Sequence, residues 1–448
     1  MKPNILTLMI AIFLLCGRMD AQDVPKQWTL EECIRYAIAN NVKLKQQEQE
    51  KEARTIELDA SKSSWAPNLN AYVGQNVDFG RTLAEYTYVN KSSANSSLQV
   101  QMSMPVFNGF KIPNNIAMRK LNLKAATESL NKAKEDLSLN IASYYLLALY
   151  NKEIMNIAEL QVNLTKEKVE RTEVLLDAGT IPMSQLYDIK AQLARDEVTL
   201  TQAANNVSLA LLDLAQALEL ERLGADFDIV QPAIQDVYTD FMLNIQPPDN
   251  IYNHAVAFKP QIKEQEYQLE SRKKMLKATQ ADYLPRLSLS ATYGNGYYRY
   301  FGDDMPSTPF SDQIKQNERK TIGLSLNIPI FNRFDVRNNV RQARVGIVTR
   351  ELMMEDSKKA LYKDIQQAFF LASAAQEKYV ASEKAVDASK EALFYAEERY
   401  TNGKSTVFEY NESKAKYAQS LSEQAQAKYD LIFRTKILDF YNGKPIQL

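Results

Sequence analysis

The sequence predicts a mainly α-helical chain that also contributes strands to a transmembrane β-barrel. Three features indicate this: two halves that repeat one pattern, segments in which apolar and polar residues strictly alternate, and helical stretches of exceptional length. A period of two is typical of strands, and apolar spacings of three and four are typical of amphipathic helices. A duplicated β-hairpin followed by long antiparallel coiled-coil helices accounts for all three features.

The composition of the 448 residues argues against enzyme chemistry and nucleic-acid binding. The formal net charge is −1, and the sequence carries no basic stripe of the kind that nucleic-acid-binding proteins use. There is one histidine, His254, and there are two cysteines, Cys16 and Cys33. These counts leave no candidate metal cluster and no nucleophile–base pair in a convincing context. We therefore expect no metal, no cofactor and no catalytic residue.

The N-terminus predicts a secretory signal peptide over residues 1–21, cut after Ala21. Lys2 precedes the apolar run "ILTLMIAIFLLC", and a small residue stands at the predicted cut. The run is too short to favour a membrane-spanning helix. Cys16 would suit a lipoprotein signal, but Leu15 stands where a small residue is expected, so cleavage without lipidation is favoured. The exported chain then keeps only Cys33, and no intrachain disulfide can form.

The rest of the chain divides into two structural repeats joined by a connector. The first repeat spans 22–220, the connector 221–249 and the second repeat 250–448. Each repeat has a lead-in helix, a β-hairpin (about 67–107 and about 285–331) and a long helix pair (about 111–220 and about 335–442). A glycine turn lies in each helix pair, at 179 and at 403. The connector gathers Pro232, Pro247 and Pro248 and loses the helical period.

The helices are predicted from caps and periodicity. Thr29 and Glu32 form a capping box at the start of the first lead-in helix. In the long helices, apolar residues recur at spacings of three and four and form a seam rich in small residues, which indicates close helix packing. The seam residues are Leu130, Ala133, Leu137, Ile141, Tyr144 and Ala148 in the first repeat, and Leu361, Ile365, Ala368, Ala372, Ala375 and Tyr379 in the second. A continuous helix from Pro113 to Gly179 would be about 100 Å long, more than an ordinary globular domain spans.

The strand segments "LQVQMSM", "LSLSATY" and "IGLSLNI" alternate apolar and polar residues without a break. A half-buried strand of a soluble sheet gives the same alternation. Export of the chain, the uncharged polar face and the aromatic run "YYRYF" (Tyr297 to Phe301) favour membrane strands instead. Two hairpins supply four strands, whereas a closed membrane barrel needs at least about eight. Several copies must therefore share one barrel; two chains would give a minimal barrel and three would give about twelve strands.

The ordered set of motifs resembles the TolC-like outer-membrane efflux proteins over essentially the mature length. The motifs are "TLEECIRYAIANN", the paired "P-x-L…P-[VI]-F-N" hairpins, "NIASYYLLALYNKE" and both glycine turns. The resemblance implies a homotrimer with a twelve-stranded barrel in the outer membrane of a Gram-negative-type bacterium and a twelve-helix tunnel in the periplasm. It also implies a passive exit duct in a tripartite efflux or secretion system, docked through a periplasmic adaptor (membrane fusion protein) to an inner-membrane transporter.

The resemblance also assigns roles to residues around the two turns. It places Gly179, Thr180, Ile181, Gly403, Lys404 and Ser405 at an adaptor-docking tip. It places Tyr400, Glu409, Glu412, Gln185 and Asp188 at the pore aperture. Two positions depart from the family, since Ser405 stands where an arginine can serve and Gln185 where an aspartate can. The tyrosine-and-ion-pair contact that closes the aperture in the family would therefore lack two charged members here, although Asp188 and Gln185 could still hydrogen-bond near Tyr400.

Alternative readings of the same residues are open. Glu409 and Glu412 lie on one helix face, and taken alone such a pair usually forms a solvated surface. In a trimer, six carboxylates around a narrow opening would favour cations. Asn402-Gly403 could form a β-hairpin turn, but the helical flanks favour a left-handed helix stop at Gly403. The alternative function is a periplasmic structural or adaptor coiled coil without channel activity, which would need lipoyl-like or small soluble barrel segments that the sequence lacks.

Overall fold

A computed structural model describes residues 27–84, 86–90, 92–220, 227–232, 246–301 and 308–447. The predicted signal peptide (1–21) and much of the predicted connector lie outside the described residues. Among the helices that are described, none combines the length and the apolar character needed to cross a membrane.

The described residues group into two compact units, and neither unit coincides with a sequence repeat. The first unit takes residues from 1–42, 136–247 and 367–448, and the second takes residues from 43–135 and 248–366. Each unit therefore draws on both halves of the chain.

The described elements of the first repeat follow the order that the sequence predicts, with short strands added. They are β1 (Gln27–Trp28), α1 (Leu30–Asn40), α2 (Val42–Ser63), β2 (Asn68–Asp78), β3 (Arg81–Ala84), β4 (Thr87–Asn90), β5 (Ser92–Phe107), α3 (Lys111–Asp177) and α4 (Met183–Ala217). The capping box predicted at Thr29 and Glu32 is present at the start of α1.

The connector and the second repeat contain a matching series. Their described elements are β6 (Asp228–Ile229), α5 (Pro248–Phe258), α6 (Pro260–Gln280), β7 (Arg286–Phe301), α7 (Phe310–Gln316), β8 (Arg319–Asn327), α8 (Asp335–Thr401) and α9 (Val407–Tyr441). A short 3₁₀ turn, Ala281–Tyr283, leads from α6 towards β7.

The long helices of the two repeats have equal lengths. Helices α3 and α8 both contain 67 residues, and α4 and α9 both contain 35. The same offset of 224 positions separates Lys111 from Asp335 and Met183 from Val407. The helix pairs of the two repeats therefore match position by position.

Four strands of the second unit form one antiparallel sheet in the order β2-β5-β7-β8. The pairing aligns apolar residues across all four strands, as in the row Leu69, Met102, Ala291 and Ile322. The neighbouring row on the other face is Asn70, Gln101, Thr292 and Thr321. The alternation predicted from single strands thus extends across the sheet and produces one apolar face and one largely uncharged polar face.

Helix α7 covers the end of β7 that extends beyond β8, a feature that the sequence did not predict. The last residue pair between β7 and β8 joins Gly294 to Arg319. Beyond it, the side-chain amide of Gln313 both accepts from the Tyr298 N–H and donates to the Tyr298 carbonyl, each at 2.9 Å. Asn317 donates to the Gly296 carbonyl at 2.8 Å. These amides take the place of a strand partner and protect an otherwise open edge.

The main core of the first unit lies around α1, α3 and α4. Its apolar residues include Leu30, Cys33, Ile141, Leu149 and Leu214. All six seam residues predicted in the second long helix are buried. In the first long helix the prediction for Tyr144 was wrong, since its side chain is 39% exposed while that of Tyr145 is 1% exposed. Adjacent helix positions differ by about 100°, so only one of the two tyrosines can follow the buried seam.

The hydroxyl of the buried Tyr145 hydrogen-bonds to the backbone of β1 and of the residue that follows β6. The Oη atom donates to the carbonyl of Trp28 at 3.1 Å and to that of Val230 at 2.7 Å. Trp28 belongs to β1, which pairs in parallel with β6. Burial raises the pKa of Tyr145, so the hydroxyl keeps the proton that it donates.

Replacement of Tyr145 by phenylalanine should lower stability, because it leaves the Val230 carbonyl without this donor. We expect a cost of about 1–3 kcal/mol for Tyr145→Phe, seen as a lower midpoint of thermal unfolding in detergent. The matched control is Tyr144→Phe, which removes the same hydroxyl from an exposed neighbour and should cost less than about 0.5 kcal/mol. Equal midpoints for the two variants would contradict the assigned role of Tyr145.

Candidate functional site

The candidate site is the pair of turns that join α3 to α4 and α8 to α9. Both turns stop the preceding helix with a glycine in the left-handed conformation, at φ +69° for Gly179 and +67° for Gly403. The Gly403 N–H donates to the Tyr400 carbonyl at 3.0 Å, and the Lys404 N–H donates to the Arg399 carbonyl at 2.8 Å. This pattern is a Schellman motif, and it confirms the left-handed stop predicted at Gly403.

The first turn has the same backbone hydrogen bonds. The Gly179 N–H donates to the Leu176 carbonyl at 2.8 Å, and the Thr180 N–H donates to the Leu175 carbonyl at 3.0 Å. Gly179, Thr180, Gly403 and Lys404 are exposed, while Ile181 and Ser405 are partly buried. The two turns therefore present nearly the same backbone geometry to solvent.

The start of α9 is organised more tightly than that of α4. Thr406 caps α9, since its Oγ1 accepts from the Glu409 N–H at 3.3 Å. Ser405 Oγ donates to Glu409 Oε2 at 2.6 Å. Helix α4 follows Pro182, which makes no side-chain cap. Ser405 thus holds the Glu409 carboxylate in place.

The other predicted aperture residues have separate surroundings. Tyr400 stacks on Tyr410 with ring centroids 5.6 Å apart. Glu412 forms an exposed ion pair with Lys416 at 2.7 Å. Gln185 is partly buried and Asp188 is exposed. Within the described part of the chain, no hydrogen bond joins Tyr400 to either of them.

A group of charged residues surrounds the buried Lys414 next to Tyr410, and the sequence did not reveal it. Lys414, which is 5% exposed, donates to Asp196 Oδ2 at 2.8 Å and to the Gln161 carbonyl at 3.2 Å, and it also contacts the Thr165 hydroxyl. Lys168 lies beside it. We call Lys168, Glu397, Tyr410, Lys414, Asp196 and Thr165 the lysine cluster.

Lys168 completes the lysine cluster. Its Nζ lies 3.2 Å from the centroid of the Tyr410 ring and 3.2 Å from Glu397 Oε1. Burial lowers the pKa of the Lys168 ammonium, an effect that the neighbouring Glu397 opposes. The cation over the ring face and the adjacent carboxylate both favour the charged form of the lysine.

Apolar contacts accompany these charges near the turns. Val169, Leu186 and Ile189 form a buried cluster between α3 and α4. Val407, the first residue of α9, packs against this cluster. The two helical hairpins of one chain therefore touch through both apolar and charged side chains.

Among the described residues, no group of three or more histidine, cysteine, aspartate or glutamate side chains is placed to hold a metal ion. The described residues at and near the turns supply exposed backbone groups, carboxylates and the connection made by Lys414.

Comparisons with known proteins point to one family. The family model described as "Outer membrane efflux protein" matches residues 33–219 and 251–438. Outer membrane efflux protein BepC of Brucella suis is 21% identical over 95% of this chain and 87% of its own length. Outer membrane protein TolC of Escherichia coli is 20% identical over 90% of this chain and 80% of its own length.

A solved structure gives the same fold. The crystal structure of CusC superposes on this chain with a TM-score of 0.78 at 16% identity. That structure was solved to follow the folding of CusC and its formation of a transmembrane channel. The match covers 93% of this chain and 92% of that one. At this level of identity the likeness concerns the fold alone.

Replacement of Gly403 by alanine should loosen the second turn. A Cβ at this position meets no atom within 4 Å, so the cost arises from the left-handed backbone and amounts to about 1–2 kcal/mol. We expect hydrogen exchange at the amides of residues 403 and 404 to become roughly fivefold faster or more. Gly346→Ala is the matched control. Gly346 is an interior residue of α8, and a Cβ there meets no atom within 4 Å, so alanine should stabilise the helix by up to about 1 kcal/mol. Equal exchange at the turn in both variants would contradict a conformational need for glycine.

Proposed function

The chain belongs to the outer membrane efflux protein family, and we propose that three copies of it form the exit duct of a tripartite efflux or secretion system. The main observation behind this proposal is the four-stranded sheet with one mainly apolar face, in a chain that also contains two helical hairpins of equal length. In this proposal substrates pass through passively, from an inner-membrane transporter to the exterior.

The sheet favours closure with further copies of itself. Its outermost strands, β2 and β8, run in opposite directions, because all four strands alternate. β8 of one copy can then pair in antiparallel fashion with β2 of the next, which leaves no open edge in the membrane. Three copies give twelve strands, an even number within the range of outer-membrane barrels.

The exposure of the apolar face also supports a membrane location. Val73 is 83% exposed and Ile322 is 82% exposed in the single chain, although each lies in a regular strand. A soluble sheet would cover such a face with a second layer. Lipid can cover it instead, and the polar face then lines the lumen. The alternative function, a periplasmic structural or adaptor coiled coil without channel activity, does not explain why the sheet exposes an apolar face.

The helices suit a tunnel with six equivalent turns. Each chain supplies two hairpins, α3–α4 and α8–α9, so three chains supply twelve helices. Because both turns have the same Schellman geometry, a partner that binds one can bind the other. We assign Gly179, Thr180, Ile181, Gly403, Lys404 and Ser405 to docking of a helical-hairpin adaptor.

The aperture would combine fixed and mobile charges. A hydrogen bond from Ser405 holds the Glu409 carboxylate. The ion pair between Glu412 and Lys416 is exposed to solvent and breaks readily. Tyr400, Gln185 and Asp188 complete the proposed lining. Three chains bring six carboxylates of Glu409 and Glu412 together and should favour the passage of cations.

The proposed barrel predicts a sharp difference between the two faces of β8. Leu324→Arg places a charge on the apolar face and should cost about 2–4 kcal/mol near the bilayer centre. We expect it to reduce the heat-sensitive oligomer in the membrane fraction. Ser325→Arg, on the polar face, is the matched control and should leave the oligomer intact. Wild-type chains should cross-link up to three copies and no further; a soluble monomer would contradict the proposal.

The proposed aperture predicts a change in ion selectivity when its carboxylates are removed. We expect the Glu409→Gln/Glu412→Gln variant to lose cation preference in single-channel recordings across a salt gradient, because the negative field at the opening is removed. Asp177→Asn removes an exposed carboxylate beside the first turn, outside the proposed aperture, and should leave the preference unchanged. Unaltered selectivity and conductance in the double variant would refute the aperture assignment.

A further inference from the structure

Two arginines of the second repeat, Arg272 of α6 and Arg350 of α8, have no carboxylate partner. Arg272 donates to the Met275 sulfur at 3.5 Å, and Arg350 donates to the side-chain oxygen of Gln265 at 3.3 Å. Within the part of the chain that the structure describes, neither guanidinium takes part in an ion pair. The two groups are close enough to repel each other, since burial and the charge of Arg272 both lower the pKa of Arg350.

The two arginines line a pair of adjoining cavities in the second compact unit. One cavity, of about 480 Å³, lies among α2, α3, α6 and α8, and the other, of about 590 Å³, lies between α6 and α8. Arg272, Met275 and Arg350 contribute to the walls of both. Arg272 is exposed and Arg350 is partly buried, so a solute can reach them. Each cavity has room for a phosphate-sized anion with several waters, since one water takes about 30 Å³ of liquid volume.

At the equivalent position of the first repeat, the arginine is fully paired. Helix α6 begins 218 positions after α2, at Pro260 against Val42, so Arg272 corresponds to Arg54. Arg54 pairs with Glu50 at 2.6 Å and with Glu57 at 3.0 Å. Carboxylates of the same helix therefore neutralise the arginine of the first repeat.

The second repeat has uncharged residues in place of both carboxylates. By the same offset, Gln268 corresponds to Glu50, and Met275 corresponds to Glu57. Glutamine and methionine are similar in length to glutamate, but neither carries a negative charge that could neutralise a guanidinium. This difference between the repeats leaves Arg272 available to an anion from outside the chain.

The second repeat also leaves space beside its arginines. Gly346 of α8 lines the larger cavity, and a Cβ at this position would meet no atom within 4 Å. Its equivalent 224 positions earlier is Asn122, whose side chain accepts from Ser271 Oγ at 2.5 Å. The glycine therefore leaves room at a position where the first repeat has a hydrogen-bonded side chain.

Three carboxylates among the described residues line the cavities, namely Glu50, Glu264 and Asp282. Two of them are already paired inside the chain. Glu50 pairs with Arg54, and Asp282 pairs with Lys111 at 2.7 Å. Neither is therefore free to neutralise Arg272 or Arg350.

Glu264, the third carboxylate, compensates the arginines only in part. It accepts a hydrogen bond from Gln268 at 2.7 Å and acts on Arg350 without forming an ion pair with it. Burial raises the pKa of Glu264, although Lys132 and Arg350 act in the opposite direction. A single carboxylate cannot balance two guanidiniums, so an excess of positive charge is left around Arg272 and Arg350.

The arginines lie away from the proposed membrane strands. Arg350 stands fifteen residues after Asp335, the first residue of α8, which corresponds to about 22 Å of helix. Lipid headgroups at the barrel would not reach that far along the helix. The anion that suits this place is therefore a dissolved one.

We propose that Arg272 and Arg350 form a binding site for an oxyanion, which is a phosphate, sulfate or carboxylate group on a dissolved solute. Guanidinium groups suit such ligands because their N–H groups form paired, charge-assisted hydrogen bonds to two oxygens. The site lies within one chain and does not depend on the proposed trimer. In the proposed duct, it would give anionic solutes a contact that the carboxylates of the aperture do not offer.

Inorganic phosphate tests the site in the full-length oligomer purified in detergent. We expect isothermal titration calorimetry at low ionic strength to show saturable binding of about one phosphate per chain, and chloride to bind far more weakly because it cannot accept a pair of hydrogen bonds. Arg272→Met and Arg350→Met should each weaken phosphate binding about tenfold or more, since each removes a charge-assisted contact. The absence of saturable binding in the wild type, or unchanged binding in either variant, would overturn the inference.

Two substitutions at Met275 provide a matched comparison. Met275→Glu restores the carboxylate that the first repeat has at this position, and its ion pair with Arg272 should weaken phosphate binding about tenfold or more. Met275→Gln introduces a polar group of similar size without charge and should keep the wild-type affinity. Equal affinities for phosphate in these two variants would contradict the assignment of Arg272.

Thermal unfolding and cross-linking separate a failure of the site from a failure of the fold or of the duct. Arg272→Met and Arg350→Met should unfold at the wild-type midpoint, because neither arginine makes an ion pair in the described chain. A wild-type trimer that binds no phosphate would refute the anion site and leave the proposed duct intact. Phosphate binding by a chain that never forms the trimer would support the anion site and refute the duct.

Discussion

The equal length of the helices in the two repeats is the constraint on which the rest of the structure depends. Helices α3 and α8 have 67 residues each, and α4 and α9 have 35 each. One inserted residue would lengthen a helix by about 1.5 Å and rotate every later side chain by about 100°. The buried seam and the paired hairpins could not accommodate such a change in one repeat alone. Both turns consequently keep one geometry, with glycine at the same place in each.

Within that shared frame, a few side chains give the repeats different properties. Lys190 and Lys414 occupy equivalent positions, yet one stabilises its own hairpin and the other binds the neighbouring hairpin. The position equivalent to Asp196 in the second repeat is the uncharged Ser420. The two repeats thus form similar hairpins, and a few side chains differ in whether they pair within one hairpin or between the two.

The second turn holds its carboxylate through a local interaction. Ser405 cannot form the ion pair that an arginine would, but its hydroxyl binds Glu409 at 2.6 Å. The backbone N–H of Glu409 also donates to the Thr406 hydroxyl, which caps α9. The carboxylate is therefore held by its own turn, and the connection between hairpins is made further along the helices, where Lys414 is buried.

The sequence by itself determined the periodic elements. The helices, the capping box at Thr29 and the left-handed stop at Gly403 follow from local patterns, because neighbouring residues supply their hydrogen bonds. The strands follow from the strict alternation of apolar and polar residues along each segment. The family resemblance likewise rests on the order of these motifs along the chain. The roles of the tip and aperture residues come from that resemblance and stay predictions.

Only the tertiary structure decided the features made by residues far apart in the chain. The pairing of β1 with β6 involves strands of two residues, too short to have a period. The choice of Tyr145 over Tyr144 depends on carbonyls 117 and 85 positions away. The sequence alone does not distinguish Lys414 from a surface lysine, because its partner Asp196 lies 218 positions away. Such contacts depend on which elements pack against each other, and the residues around one position do not specify the distant residue that it will contact.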